Sequence, residues 1–260
     1  MRALSEAPDN EFRHVRFVLT DMDETLTWQG RLSARTYTSL ERLQSAGVRV
    51  IPVTAAPAGW CDQMARMWPV DGVIGENGGL YFARAEAGHG VVRRYWHPDE
   101  SRAKVSERLR EIADSVMTKL PDAQFAEDQP FRSSSIAFAR PDDPAASDRI
   151  VRALRSAGAD VTINNLWILG WLGGYDKLLM TRRILAEQYG IDIDRERDAI
   201  LYSGDSINDA PMFAFFTHTV GVSTVTRYLH QIPVPPRWIT RGPGGAGFVE
   251  AADAVIRARQ

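Results

Sequence analysis

The chain has 260 residues, 44% hydrophobic and 25% charged, with 20 Gly and 14 Pro, an average globular composition that excludes collagen-like, disordered and disulfide-scaffold classes. Lys and Arg total 31 against 33 Asp and Glu, a net charge of -2, so no overall field favours nucleic acid or an anionic membrane. The length suits one large domain or a core carrying an insertion, and the single cysteine, Cys61, forbids an intramolecular disulfide.

The opening MRALSEAPDN lacks the apolar centre of a signal peptide, and residues 1–11 are expected to form a flexible tail. HVRFVLTD then reads as a strand that ends on carboxylates. Ser33 caps a helix, ARTYTSLERLQSAG, which Gly47 terminates. A second strand, VRVIPVT, stops at Thr54, a helix with proline in its first turn covers 57–68, and DGVIGENGG is a third strand. This order is a βαβαβ unit, which requires a parallel sheet with helices on its faces. Ligands of such sheets sit beyond the carboxyl ends of the strands, where Asp21, Asp23 and Thr54 fall.

From about residue 80 to 173 the pattern changes to a helix (SRAKVSERLREIADSVMTKL), strands DAQFAED and SSSIAFAR, a helix (DPAASDRIVRALRSAG), and strands DVTINN and LWILGWL. That is an αββαββ unit, a small antiparallel sheet with helices on one face. After Tyr175 the first pattern resumes with helix DKLLMTRRILAEQYG, strand DAILYSGD, a short helix from Asn208, strands HTVGV and PRWIT, and the helix AGFVEAADAVIRAR. The expected fold class is α/β: a Rossmann-like parallel core, residues 1–82 and 173–260, interrupted by an α+β insertion at 83–172. LWILGWLGG is too short to span a bilayer, and a cytoplasmic address is expected.

Two acidic clusters carry the chemistry. Asp21 and Asp23, two apart at a strand end, point the same way if the backbone stays extended; alone they read as a polar turn. In GDSINDAPMF, Asp205 follows an apolar strand and Asp209 comes one helical turn later; alone this reads as a helix cap. The inferred topology places both clusters at one sheet edge. Two carboxylates about 4 Å apart repel by roughly 4 kcal/mol at an effective dielectric of about 20, so the group calls for a cation. Oxygen-only ligands argue for Mg²⁺, and the five histidines show no metal spacing. A carboxylate beside Mg²⁺ can attack phosphorus while a second carboxyl group moves protons. Thr54 and Lys177 could bind the developing charge, since a solvated cation at the start of a helix opposes the macrodipole.

In this order the motifs resemble those of the haloacid dehalogenase superfamily of phosphohydrolases: DMDETL the first, Thr54 in VIPVTAAP the second, Lys177 in GYDKL the third and GDSINDAPMF the fourth. The resemblance implies Asp21 as nucleophile, Asp23 as general acid/base, Thr54 and Lys177 as phosphate-binding groups, and Asp21, Asp23, Asp205 and Asp209 around Mg²⁺. An αββαββ insertion preceded by ENGG is similar to the C2B-capped subfamily IIB, whose Cof-type and other sugar-phosphate phosphatases imply substrate contacts at Ala55, Asn77 and Asn208. Two departures stand out: Glu24 replaces a usual glycine, and TAAP replaces a frequent T-G-R, removing an arginine. In the insertion, Asn164, Asn165, Trp167, Trp171 and Tyr175 suit a sugar, although the tryptophans fit a plain sheet core as well. Arg132, Ser133, Ser134 and Ser135 could reach a second anion or form a solvated edge. Gly173 and Gly174 read as a hinge, and GPGGAG as a flexible loop.

The expected function is therefore Mg²⁺-dependent hydrolysis of a small phosphorylated metabolite, with a sugar phosphate the favoured class, through an aspartyl-phosphate on Asp21. Phosphomutase chemistry shares the same residues, and a non-catalytic binding module on a hydrolase scaffold is the third reading. Nucleic acid and membrane partners are not expected.

Overall fold

The computed structural model describes residues 1–86, 90–164 and 166–260. The amino-terminal stretch forms β1 (Arg2–Ala3), and the first apolar run forms β2 (Phe17–Thr20). A hairpin of β3 (Thr27–Trp28) and β4 (Arg31–Leu32) leads into α1 (Ala34–Ser45). Ser33 caps that helix, its Oγ accepting from Thr36 N at 3.1 Å, and Gly47 leaves it with a φ of 73°, the left-handed turn that glycine adopts without strain. Then come β5 (Arg49–Pro52), α2 (Ala58–Met67) and β6 (Val73–Gly75), followed by an antiparallel hairpin of β7 (Leu80–Arg84) and β8 (Val91–Tyr95).

The insertion contributes α3 (Asp99–Lys119), β9 (Ser135–Ala139), α4 (Pro144–Ser156), β10 (Asp160–Ile163) and β11 (Trp167–Trp171). The chain returns through α5 (Lys177–Tyr189), β12 (Ile200–Gly204), α6 (Ala210–Phe215), β13 (His218–Gly221), β14 (Trp238–Ile239) and α7 (Gly244–Arg257). The main sheet is wholly parallel in the order β1-β14-β13-β12-β2-β5.

Alternation along the strands divides the core into two layers. Val18, Val50, Leu201 and Val220 face α1 and α7, packing with Leu40, Leu43, Phe248 and Val255. Phe17, Leu19, Ile51 and Tyr202 face α5 and α6, packing with Met180, Ile184 and Phe213. The three-stranded sheet β10-β11-β9 uses the same rule. Ile136, Phe138 and Ile168 meet α3 and α4, while Ala137, Leu169 and Trp171 turn to the other face, where Ala55 of the parallel core joins them. The insertion thus roofs the carboxyl edge of the main sheet.

Five expectations change. Residues 1–11 are not a loose tail: β1 adds a parallel edge strand to β14, and Leu4 is buried in the core, because an apolar residue after a strand-compatible pair finds an open sheet edge. The third strand, β6, touches the main sheet through a single parallel bridge, Val53 to Ile74, and pairs antiparallel with β7. The β7–β8 hairpin packs on α2, so the boundary expected at residue 83 falls inside it. DAQFAED makes one bridge, Phe125 to Phe138, where a full strand was expected. The last four residues of GPGGAG belong to α7, and a Cβ on Gly245 would lie 2.7 Å from Leu26 O, so glycine there permits close packing against the segment that enters the β3–β4 hairpin.

Candidate active site

Strand register builds the site. Thr20 pairs with Ser203 across the parallel β2–β12 ladder, and Asp21 N extends it by donating to Ser203 O at 2.8 Å. Asp21 and Asp205 therefore leave adjacent strand ends side by side. Beyond Asp205 the chain turns through Ser206 into a short helical turn, bringing Asp209 back over Gly204, where a Cβ would lie 2.5 Å from Asp209 Oδ2. Lys177 is the first residue of α5, which Asp176 caps by accepting from Leu179 N at 2.7 Å. The start of α5 is seated against Gly78, where a Cβ would fall 2.3 Å from Asp176 O.

That seating buries Lys177 to 2% exposure. Its Nζ donates to Asp21 Oδ1 at 2.9 Å and to Asp209 Oδ1 at 2.7 Å. Burial opposes its charge, but Asp209 and Asp21 outweigh burial and raise its pKa above the ordinary lysine value. One oxygen from each of Asp21, Asp205 and Asp209 lies within 4.8 Å of the others. Burial pushes Asp21 up to about 7 against the pull of Lys177, with Asp209 and Asp23 adding repulsion. Burial likewise raises Asp23 to about 6 and holds Asp205 well above the usual carboxylate range. Buried acids with raised proton affinity and one lysine among them suit a divalent cation, and the all-oxygen donor set suits a hard one.

The carboxylates are not equivalent. Asp209 Oδ1 also accepts the Tyr202 hydroxyl, and its Oδ2 accepts Asp205 N at 2.9 Å and Ser206 N at 3.1 Å. With Lys177 this makes four donors on one carboxylate, so Asp209 holds Lys177 and the 205–206 turn in place. Asp205 Oδ1 accepts from Thr25 at 3.2 Å. Glu24 has a φ of 57°, the left-handed conformation that explains why glycine serves at such a position. Its Oε1 accepts Gln29 N at 2.8 Å, which turns that oxygen toward the β3–β4 hairpin.

Thr54 is fully buried and its Oγ1 accepts Ala56 N at 3.0 Å. Ala55 lines two adjoining cavities beneath the insertion, and Asn164 lines both with it. Asn208 lines the smaller one and accepts from Ser206 Oγ at 2.6 Å. Asn77 sits outside both cavity walls, behind the Thr54 loop: its N–H donates to Thr54 O at 3.0 Å, and its buried Oδ1 has no partner. Asn165 lies outside the described residues. Asn164 Oδ1 accepts Leu166 N and Trp167 N, which shapes the turn that brings Trp167 to the larger cavity. Trp171 does not line it; it stacks on Tyr175 in the junction between insertion and core.

Several residues at this junction carry more than their sequence context signalled. Glu76 is 0% exposed and has a φ of 49°. It accepts from Ala58 N at the start of α2 and from Ser133 N, Ser134 N and Ser135 Oγ of the insertion. Ser134 and Ser135 are buried in this clamp, while Ser133 stays exposed and joins it through its N–H, so the stretch is not simply a solvated edge. Arg132 pairs with Asp128 in the cavity wall. The spacing of Asp128 and Arg132 is a visible signal of an ion pair; nothing in the sequence joins Glu76 to serines 57 to 59 residues away or marks Tyr202 as Asp209's partner.

No protein-family model matches the sequence, and no curated protein matches it. Solved structures do. A Thermoplasma acidophilum protein is 21% identical with a TM-score of 0.72, the match covering 94% of this chain and 99% of that one. A haloacid dehalogenase-like hydrolase from Bacteroides thetaiotaomicron is 17% identical with a TM-score of 0.63, covering 93% and 99%. The sucrose-phosphatase of Synechocystis, solved with sucrose and phosphate, is 15% identical with a TM-score of 0.64, covering 94% and 98%. The chain has the fold of the haloacid dehalogenase-like hydrolases, with an α+β insertion over the carboxyl edge of its parallel sheet.

Proposed function

We propose that the chain is a Mg²⁺-dependent phosphomonoesterase acting on a small phosphorylated metabolite, with sugar phosphates the favoured class. The observation that carries this reading is the buried Asp21–Lys177–Asp209 chain at the sheet edge, with Asp205 beside it and Asp23 two residues on. The likeness in fold to a sucrose-phosphatase supports the sugar class. Asp21 and Asp205 would hold the ion, with Asp209 completing the acidic group and Asp23 two residues from Asp21. Bound there, Mg²⁺ supplies charge neutralisation for the phosphoryl oxygens.

The chain's own residues account for the rest. An Asp21 oxygen attacks phosphorus; the bond from phosphorus to the leaving oxygen breaks, and Asp23 delivers a proton to that oxygen. Asp23 then takes a proton from water, whose oxygen attacks phosphorus and releases Asp21. A pKa of about 6 lets Asp23 hold a proton closer to neutrality than an ordinary carboxyl group. Lys177 would orient Asp21, and Thr54, one residue before the cavity-lining Ala55, would bind a phosphoryl oxygen. The buried roof excludes bulk water from the reacting groups.

The test is phosphate release from a panel of phosphomonoesters, nitrophenyl phosphate included, with Mg²⁺ and with chelator. Chelator-sensitive release is expected. Absence of release from every ester would contradict the reading.

A further inference from the structure

If phosphorus sits at Asp21, the alcohol to which it is esterified extends past Asp23 into the larger cavity, about 290 Å³, between Trp60 on the core and Trp167 on the insertion. The charged groups in that wall are Asp23, Glu127, Asp128 and Arg132. Arg132 is the only cation lining it among the described residues, and its side chain is 1% exposed. It is already committed. Nε and one terminal nitrogen reach the two oxygens of Asp128 at 3.0 and 2.7 Å, and the other terminal nitrogen donates to Ala55 O at 3.1 Å and Ser135 Oγ at 3.2 Å. A planar guanidinium held in this bidentate way is fixed by its partner.

The pair has no net charge to offer a ligand, and Glu127 leaves the wall negative. A phosphate or carboxylate on the leaving group would shed water against these acids with no counter-charge, which is unfavourable. Hydroxyl groups face no such penalty, and the two tryptophans offer apolar surface to the carbons. TAAP at residues 54–57 places no second cation in the loop below.

The geometry points to the Asp128–Arg132 pair as a charge filter: the substrates are phosphomonoesters whose leaving group carries hydroxyls and no second anion. Bisphosphates and phosphorylated acids are disfavoured. This rests on the phosphatase reading and names the substrate class of the same site.

The experiment compares kcat/KM for the phosphates of glucose, glucosamine and gluconate, esterified at the same carbon, with nitrophenyl phosphate alongside. The gluconate ester is expected to be on the order of tenfold poorer than the glucose ester, chiefly in KM, as one unfavourable charge contact implies, and the glucosamine ester at least as good as the glucose ester. Asp128→Asn keeps an oxygen for Arg132 but frees its charge, and is expected to narrow the glucose-to-gluconate ratio severalfold. Glu127→Gln, on the exposed rim, is expected to narrow it in the same direction without disturbing the buried pair. A gluconate ester turned over as well as the glucose ester by the unmodified protein overturns the filter, as does a ratio unmoved by both substitutions. Failure to hydrolyse even nitrophenyl phosphate overturns the phosphatase reading and the filter with it; hydrolysis without charge selectivity overturns the filter alone.

Discussion

Asp21 and Asp23 carry the same side chain two residues apart, and their surroundings separate their roles. Asp21 is fixed by Lys177 at 2.9 Å, whereas Asp23 opens on the cavity that would receive the leaving group. Asp23→Ala is therefore expected to slow sugar phosphates by roughly 10²-fold or more and nitrophenyl phosphate much less, since a good leaving group needs little protonation. Equal losses on both esters would count against acid catalysis. The carboxylates themselves were legible as spacings, D-x-D and D-x-x-x-D after apolar runs. Their inequality was not: Asp209's four donors come from positions 177, 202, 205 and 206, and only the folded chain brings these together. Glu24 shows the same limit, because a left-handed φ is invisible in a residue that seldom adopts one.

At the scale of elements, the roof is bolted to the core by Glu76, which sits in a left-handed turn between β6 and β7 and collects donors from α2 and from the residues leading into β9. Glu76→Gln keeps the shape but turns an amide NH₂ toward backbone N–H groups that need an acceptor. A destabilisation of about 2–4 kcal/mol is expected, measured as a lower denaturant midpoint, together with faster amide exchange at Ser133 and Ser134. Unchanged exchange there would mean that the clamp does not hold the roof. The apolar runs of β2, β5 and β12 and the cap at Ser33 could be read directly from the sequence, because apolar runs and capping residues are local signals. The weak attachment of β6, the β7–β8 hairpin and the edge strand β1 could not, because each depends on which edge is free once the other strands have paired.

For the molecule as a whole, the raised carboxyl groups set a pH dependence. Asp21 moves from 3.8 to about 7 and Asp23 from 3.8 to about 6. A group whose folded pKa is raised contributes stability that is complete below its unfolded pKa and is lost as pH climbs through the folded value. The metal-free protein should thus lose this contribution between about pH 4 and about pH 7. A cation binds the deprotonated acids, so the rise in Tm on adding Mg²⁺ is expected to be larger at about pH 8 than at about pH 5 by calorimetry; equal rises would argue that these acids do not hold the ion. No helix among the described residues is long and apolar enough to cross a membrane. The α/β order and the insertion were legible because helix and strand periods switch in the sequence, and the proposed function rests on where those switches leave the acids. The central claim is that Asp21 is a covalent nucleophile. Rapid quenching of the protein during turnover of a phosphate-labelled ester, followed by mapping of the label, tests it most directly: one acid-stable phosphoryl group on the peptide bearing Asp21, absent from Asp21→Asn, is expected. Turnover without labelling, or labelling that survives Asp21→Asn, would contradict it.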